Sequence, residues 1–138
     1  MAAIRSKNTK PELIIRRGLH ALGYRYRLHD TKLLGKPDLV LPKHRAVIFV
    51  HGCFWHGHDC HLFHWPANRE DFWRRKIEGN MERDRQHKTA LGAVGWRIAT
   101  VWECSLKGRQ RLPLPHLIDL LHIWLSGDAA ELDLRGRD

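Results

Sequence analysis

Apolar and polar positions along this 138-residue chain follow different periods in different stretches, and each period predicts an element. Thr9-Lys10-Pro11-Glu12 reads as a capping box with proline early in the first turn. The helix that follows carries an apolar stripe of Leu13, Ile15, Leu19 and Leu22, and Gly23 stands where a helix-terminating glycine belongs. Tyr24 to His29 alternates and predicts a strand. Leu34-Gly35-Lys36-Pro37 is a turn, Asp38 to Leu41 a short strand, and Pro42 to Arg45 the next turn. Ala46 to His51 is a continuous apolar run, the pattern of a strand buried on both faces. The short connection before it predicts an antiparallel pair.

Beyond this run the period is lost. Gly52 to His64 is dense in Cys, His and aromatic residues. A charged helical region capped by Asn68 runs to about Ala93, with Phe72, Trp73, Ile77 and Met81 as apolar members and Gly79 as a weak point. Gly95 ends it, Trp96 to Trp102 predicts another strand, and Leu114 to Leu125 a closing helix. The expectation is one domain over 1–138, a mixed α/β sheet covered by helices, with residues 1–8 as an arm and 126–138 as a loose tail.

Charge adds a partner. Twenty-four Lys and Arg against fifteen Asp and Glu leave +9, which favours a polyanion such as nucleic acid. No apolar stretch approaches the ~20 residues of a membrane span, and the N-terminus lacks a signal-peptide apolar region. The expected setting is therefore a reduced cytoplasm, where clustered Cys and His bind metal more often than they form disulfides.

Three groups of residues carry candidate chemistry. Cys53, Cys60 and Cys104 with one imidazole suit a tetrahedral, closed Zn²⁺ site of structural type. His58 fits the spacing, but His51, His56, His61 and His64 lie nearby. Asp38 at a strand start, beside the strand ending Phe49-Val50-His51, can hold Mg²⁺, which needs only one or two carboxylates plus phosphate oxygens. His51 and His56 suit general acid–base work. Phe54-Trp55, and Trp73 among Arg69, Arg74, Arg75 and Lys76, could wedge between bases while the cations hold phosphates. Read locally, Glu12 belongs to the capping box, Asp84 to a surface ion pair and the aromatics to a core.

Together these motifs resemble the very short patch repair (Vsr) DNA mismatch endonucleases. The strings that carry the resemblance are Arg5 to Glu12, Gly35-Lys36-Pro37-Asp38, Val47 to His56 with its His-Gly-Cys-Phe-Trp-His, Asn80 to Asp84, and Gly95-Trp96-Arg97 through Val101-Trp102-Glu103-Cys104. The resemblance implies a restriction-endonuclease-like PD-(D/E)xK fold in which the usual second carboxylate and lysine are replaced. It implies a nick 5′ to the thymine of a T:G mismatch arising from 5-methylcytosine deamination. Asp38 and the Val50 carbonyl would hold Mg²⁺. His56 would be the leading catalytic histidine, supported by His51, Glu12 and Asp84. Cys53, His58, Cys60 and Cys104 would hold Zn²⁺, and Phe54, Trp55 and Trp73 would intercalate. The implied partners are duplex DNA and a MutL-type repair protein, with the enzyme acting as a monomer. Two departures stand out: few residues precede Ile4, so the DNA-clamping arm is expected to be reduced, and Gly57-His58-Asp59 is poorer in histidine than the family's usual loop.

Overall fold

The computed structural model describes residues 9–137, so the expected arm at 1–8 lies outside the described residues. Its centre is the strand Ala46–His51, here β3, whose bounds coincide with the continuous apolar run. The run is apolar throughout because helices cover both faces of the sheet. Even-numbered residues Ala46 and Ile48 enter one core, and odd-numbered Val47 and Phe49 enter the other.

The remaining strands are β1 (Arg27–Leu28), β2 (Leu39–Leu41), β4 (Arg97–Trp102) and β5 (Glu131–Leu134), and they lie in the order β1-β2-β3-β4-β5. β2 pairs with β3 antiparallel across a short 3₁₀ turn at Pro42–His44, while β3, β4 and β5 run parallel. Parallel neighbours need a crossover. The helix α2 (Glu70–Ala93) makes the one between β3 and β4, and α3 (Leu114–Ser126) the one between β4 and β5. The helix α1 (Lys10–Ala21) packs with α3 on one face: Ile15, Leu19, Leu117, Leu121 and Leu125 meet Leu39, Leu41, Ile48, Ala99 and Val101. Gly18 makes this close contact possible, since a Cβ there would collide with Ile118. Leu91 of α2 closes the other face over Val40, Val47, Phe49 and Ile98.

Several expectations need correction. The Tyr24–His29 strand shrinks to Arg27–Leu28, both exposed and paired with Val40 and Leu39 of β2. The stripe on α1 is narrower than expected, as Leu22 is exposed. Arg69, in a left-handed conformation, caps α2 in place of Asn68, and Gly79 does not interrupt the helix. Phe72 and Met81 face solvent; Ile77 and Leu91 are the residues of α2 that are buried. The region expected to be a loose tail contains β5, with Leu134 buried against the sheet. A four-residue edge strand has too short a pattern to announce itself, and its pairing partner β4 defines it.

Candidate active site

The C-terminal end of β3 organises two clusters, one on each side of the segment 51–60. The first follows from sheet register. His51 pairs with Trp102 across the parallel β3–β4 ladder, so Cys53 and Cys104, two residues further on, leave the sheet side by side. The Cys104 N–H donates to Cys53 Sγ at 3.3 Å. A tight turn, in which the His58 N–H donates to the Cys53 carbonyl at 2.9 Å, returns the His58 ring to the same place. His58 Nδ1 lies 3.6 Å from both Cys53 Sγ and Cys104 Sγ, and with Cys60 the four donors fall within 4.8 Å of one another. Of the five nearby imidazoles, His58 is the one in this group. Its ring stacks on Trp102 at 3.9 Å. Behind β5, the Gly136 N–H reaches Cys104 Sγ at 3.3 Å and Arg135 pairs with Asp59 at 3.0 Å, which closes the site. Burial pushes the Cys53 and Cys104 thiols upward, a cost that a bound cation reverses. This Cys₃His group can bind a metal ion.

The second cluster is an open cleft. Asp38, just before β2, accepts the Val50 N–H at 2.7 Å. Burial, reinforced by neighbouring Glu12 and opposed by the Val50 hydrogen bond, pushes the Asp38 carboxyl up to about 7. Glu12, 1% exposed on α1, has its Oε2 3.1 Å from Arg16 and 2.8 Å from His29 Nε2. Thr9 caps the helix as expected, accepting the Glu12 N–H at 3.4 Å. The Glu12 side chain, however, is engaged by Arg16 and His29.

His51 and His56 stack face to face, 3.7 Å apart with rings 1° from parallel. His56 Nδ1 is 2.6 Å from Asp84 Oδ2, a charge-assisted hydrogen bond that spans the cleft to α2. Asn80, one turn earlier on α2, donates to the Trp55 carbonyl at 2.9 Å. Gly57 adopts φ +61 and lies against Met81 and Ile77, so this loop seats directly on the helix. Burial, with the charges of His56 and Lys88, holds His51 well below the usual imidazole range, and its Nδ1 is buried without a hydrogen-bond partner among the described residues.

Two adjoining cavities of about 650 and 540 Å³ share Asp38, Val50, His51 and His56 as walls. The carboxylates and imidazoles thus border one cleft, but as two groups: Glu12, His29 and Asp38 in one, His51, His56 and Asp84 in the other.

Phe54 and Trp55 line the larger cavity. Their rings lie 5.1 Å apart, and Trp73 sits 5.5 and 5.8 Å from them. None of the three is buried. The sequence reading missed the extension of this cluster. Phe63 and Trp65 continue it from Phe54, and Phe72 continues it from Trp73. Arg69 lies 4.4 Å over Phe72, and Arg74 lies 4.5 Å over Trp65. The i, i+3 spacing of Arg69 and Phe72 at the start of α2 was the available signal. His29 was missed too, and no local pattern marks it.

Residues 1–62 match the family model described as DNA mismatch endonuclease Vsr. The DNA mismatch endonuclease Vsr of Escherichia coli K12 is 43% identical over 138 residues, covering 99% of this chain and 88% of that protein. The chain belongs to the Vsr family of DNA mismatch endonucleases. The type II nicking enzyme V.XorIIP of Xanthomonas oryzae pv. oryzae is 54% identical over 106 residues, 77% of this chain and 78% of that one. The type II nicking enzyme V.NmeAIP of Neisseria meningitidis is 48% identical over 109 residues, 79% and 78% of the two chains. Vsr membership supports a DNA endonuclease and agrees with the net charge of +9. No helix among the described residues is long and apolar enough to cross a membrane.

Proposed function

We propose that this Vsr family member nicks duplex DNA 5′ to the thymine of a T:G mismatch by Mg²⁺-dependent phosphodiester hydrolysis, initiating very short patch repair. The observation that carries the reading is the shared cleft: Asp38, the Val50 backbone and the His56–Asp84 pair border it, and Phe54 and Trp55 form part of its wall.

Asp38 would hold the ion together with the Val50 carbonyl. A residue on a β-ladder points its N–H and C=O to the same neighbour. The Val50 N–H faces Asp38, so its carbonyl faces that side as well. Two oxygens of this kind, with water and phosphate completing the shell, suit a hard cation. When bound, Mg²⁺ would polarise the scissile phosphate and offset charge on the leaving oxygen.

The chain's own groups supply the rest. Asp84 fixes the His56 tautomer through Nδ1–H, leaving Nε2 to take a proton from the attacking water. His51 stays neutral and supports the His56 ring from one face. Glu12 adds negative charge beside Asp38, which favours a cation there. In a restriction-endonuclease-like reading of the sheet, Pro37-Asp38 is the acidic end of the motif, and β3 ends in Val50-His51 in place of the acid and lysine. Phe54, Trp55 and Trp73 would enter the base stack at the mismatch, where unstacking costs least. Cys53, His58, Cys60 and Cys104 would hold a structural zinc. Zn–S of ~2.3 Å and Zn–N of ~2.0 Å at a tetrahedral angle would put sulfur and nitrogen about 3.5 Å apart, close to the two His58–thiol distances of 3.6 Å. The reading takes the protein as a monomer acting beside a MutL-type protein in the cytoplasm.

The test uses an end-labelled duplex with one T:G pair in varied flanking sequence, and its T:A counterpart. One-strand nicking of the T:G duplex that needs Mg²⁺ and vanishes in Asp38→Ala supports the reading. Equal cutting of both duplexes would replace it with a nuclease of plain duplex DNA. Salt-sensitive binding without cutting would replace it with a binding protein.

A further inference from the structure

His29 is not used in the mechanism above, yet the fold holds it firmly. It follows β1 with φ +47, a left-handed conformation that non-glycine residues rarely adopt. Its N–H donates to the Asp38 carbonyl at 3.1 Å, which fixes this turn against β2. The side chain is turned inward, 20% exposed, with Nε2 2.8 Å from Glu12 Oε2. One ligand atom from each of Glu12, His29 and Asp38 lies within 4.8 Å of the others. Glu12 and Asp38 face the larger cavity, and His29 and Asp38 face the smaller, so the trio stands where the two meet. A purely orienting role for His29 is redundant, because Arg16 already holds the same Glu12 oxygen at 3.1 Å.

We infer that His29 Nε2 is a protein ligand in the ion pocket formed with Glu12 and Asp38, and that this chain therefore favours Mn²⁺ over Mg²⁺. The inference rests on the reading of Asp38 as an ion ligand. Its physical basis is the donor set. Two carboxylates suit either cation, but an imidazole adds little for Mg²⁺ and more for first-row transition ions. The nitrogen must present its lone pair to bind, so the His29–Glu12 hydrogen bond gives way as the ion enters.

The experiment measures ion binding to the full zinc-loaded chain without DNA, by titration calorimetry and by electron spin-echo spectroscopy of bound Mn²⁺. Wild type should bind Mn²⁺ about tenfold or more tighter than Mg²⁺, and the echo should carry a nitrogen modulation. In His29→Gln, Mn²⁺ affinity should fall about tenfold, Mg²⁺ affinity should move less than about threefold, and the modulation should vanish. A wild-type echo without nitrogen modulation, or a modulation that survives in His29→Gln, overturns the inference. Equal losses for both ions also overturn it, because they mark His29 as merely orienting Glu12. Should His29→Gln fail to fold, His51→Asn and His56→Ala decide by elimination: loss of the modulation in either assigns the nitrogen elsewhere and overturns the inference, while its persistence in both supports His29. Asp38→Asn separates the two levels. Unchanged ion binding there removes the Asp38 reading itself, whereas binding lost in Asp38→Asn but unaffected in His29→Gln removes the His29 assignment alone.

Discussion

The Cys₃His group and the acidic cleft share one stretch of chain, 51–60, yet they are built on opposite physical terms. The first gathers soft donors at one point and buries them: Cys53, His58 and Cys104 are each less than a tenth exposed. It leaves no position for a substrate, so its expected contribution is to folding. The second spreads hard oxygens and imidazoles along a cleft, and it tolerates unfavourable features there. A carboxyl is held near 7, a buried ring nitrogen lacks a partner among the described residues, and two histidines stack face to face. Such features cost stability and would be useful for receiving the cation and phosphate of the proposed reaction. The comparison teaches that neighbouring residues can serve stability and chemistry separately when a tight turn divides them.

Mutations in the two regions should therefore fail differently. The largest expected effect is at the thiolate site. Cys104→Ala should lose the bound metal and with it the cooperative unfolding transition, since structural zinc contributes about 10 kcal/mol or more in small metal-dependent folds. Metal content and a thermal melt check this, and a variant that melts like wild type would break the comparison. Next, Asp38→Asn should lower nicking by about 10³-fold or more while leaving the melting temperature unchanged or higher, because it removes a buried charge whose proposed role is to hold a cation. Single-turnover cleavage beside a melt reads both.

His56→Ala should cost about 10²–10⁴-fold in the nicking rate. Asp84→Asn should cost about 10–100-fold, because it disturbs the tautomer and leaves the imidazole in place. Equal effects of the two would show that Asp84 does more than orient His56. Trp73→Ala should weaken selective binding to the mismatched duplex by about 1–3 kcal/mol, the value of one base–aromatic stack, with matched duplex little affected.

The last effect concerns pH. Asp38 has an ordinary value of 3.8 and a folded value of about 7. A carboxyl raised on folding binds its proton more tightly in the folded state. The stability it contributes is therefore full below about 4 and is lost as pH rises through about 7. Thermal melts of the zinc-loaded, Mg²⁺-free chain should show this fall, and Asp38→Asn should remove it.

Parts of this arrangement are readable along the chain because they depend on local pattern. The bounds of β3 and the start of α1 are of this kind, the one a run of apolar residues and the other a proline after a threonine cap. The ligand spacing Cys53, His58 and Cys60 is too, since a single tight turn brings those donors together. β5 was not readable, because Glu131 to Leu134 presents only two polar–apolar pairs, whose meaning depends on an open edge of β4. His29 was hidden for a similar reason: its place depends on a left-handed turn held by a carbonyl nine residues away. The cation–aromatic extension over Trp65 and Phe72 depends on how α2 meets the loop.

By itself the sequence determined the elements other than β5 and the extent of β1, the soft-donor spacing, the basic charge and the family, since each is a property of residue type at short range or of motif strings. The tertiary structure alone decided which carboxylates and imidazoles share a cleft. Asp38, Glu12, His29 and Asp84 come from separate elements, and no periodicity encodes the distances between them. Those distances are set by sheet register and helix packing, which emerge only when both faces of the sheet are covered.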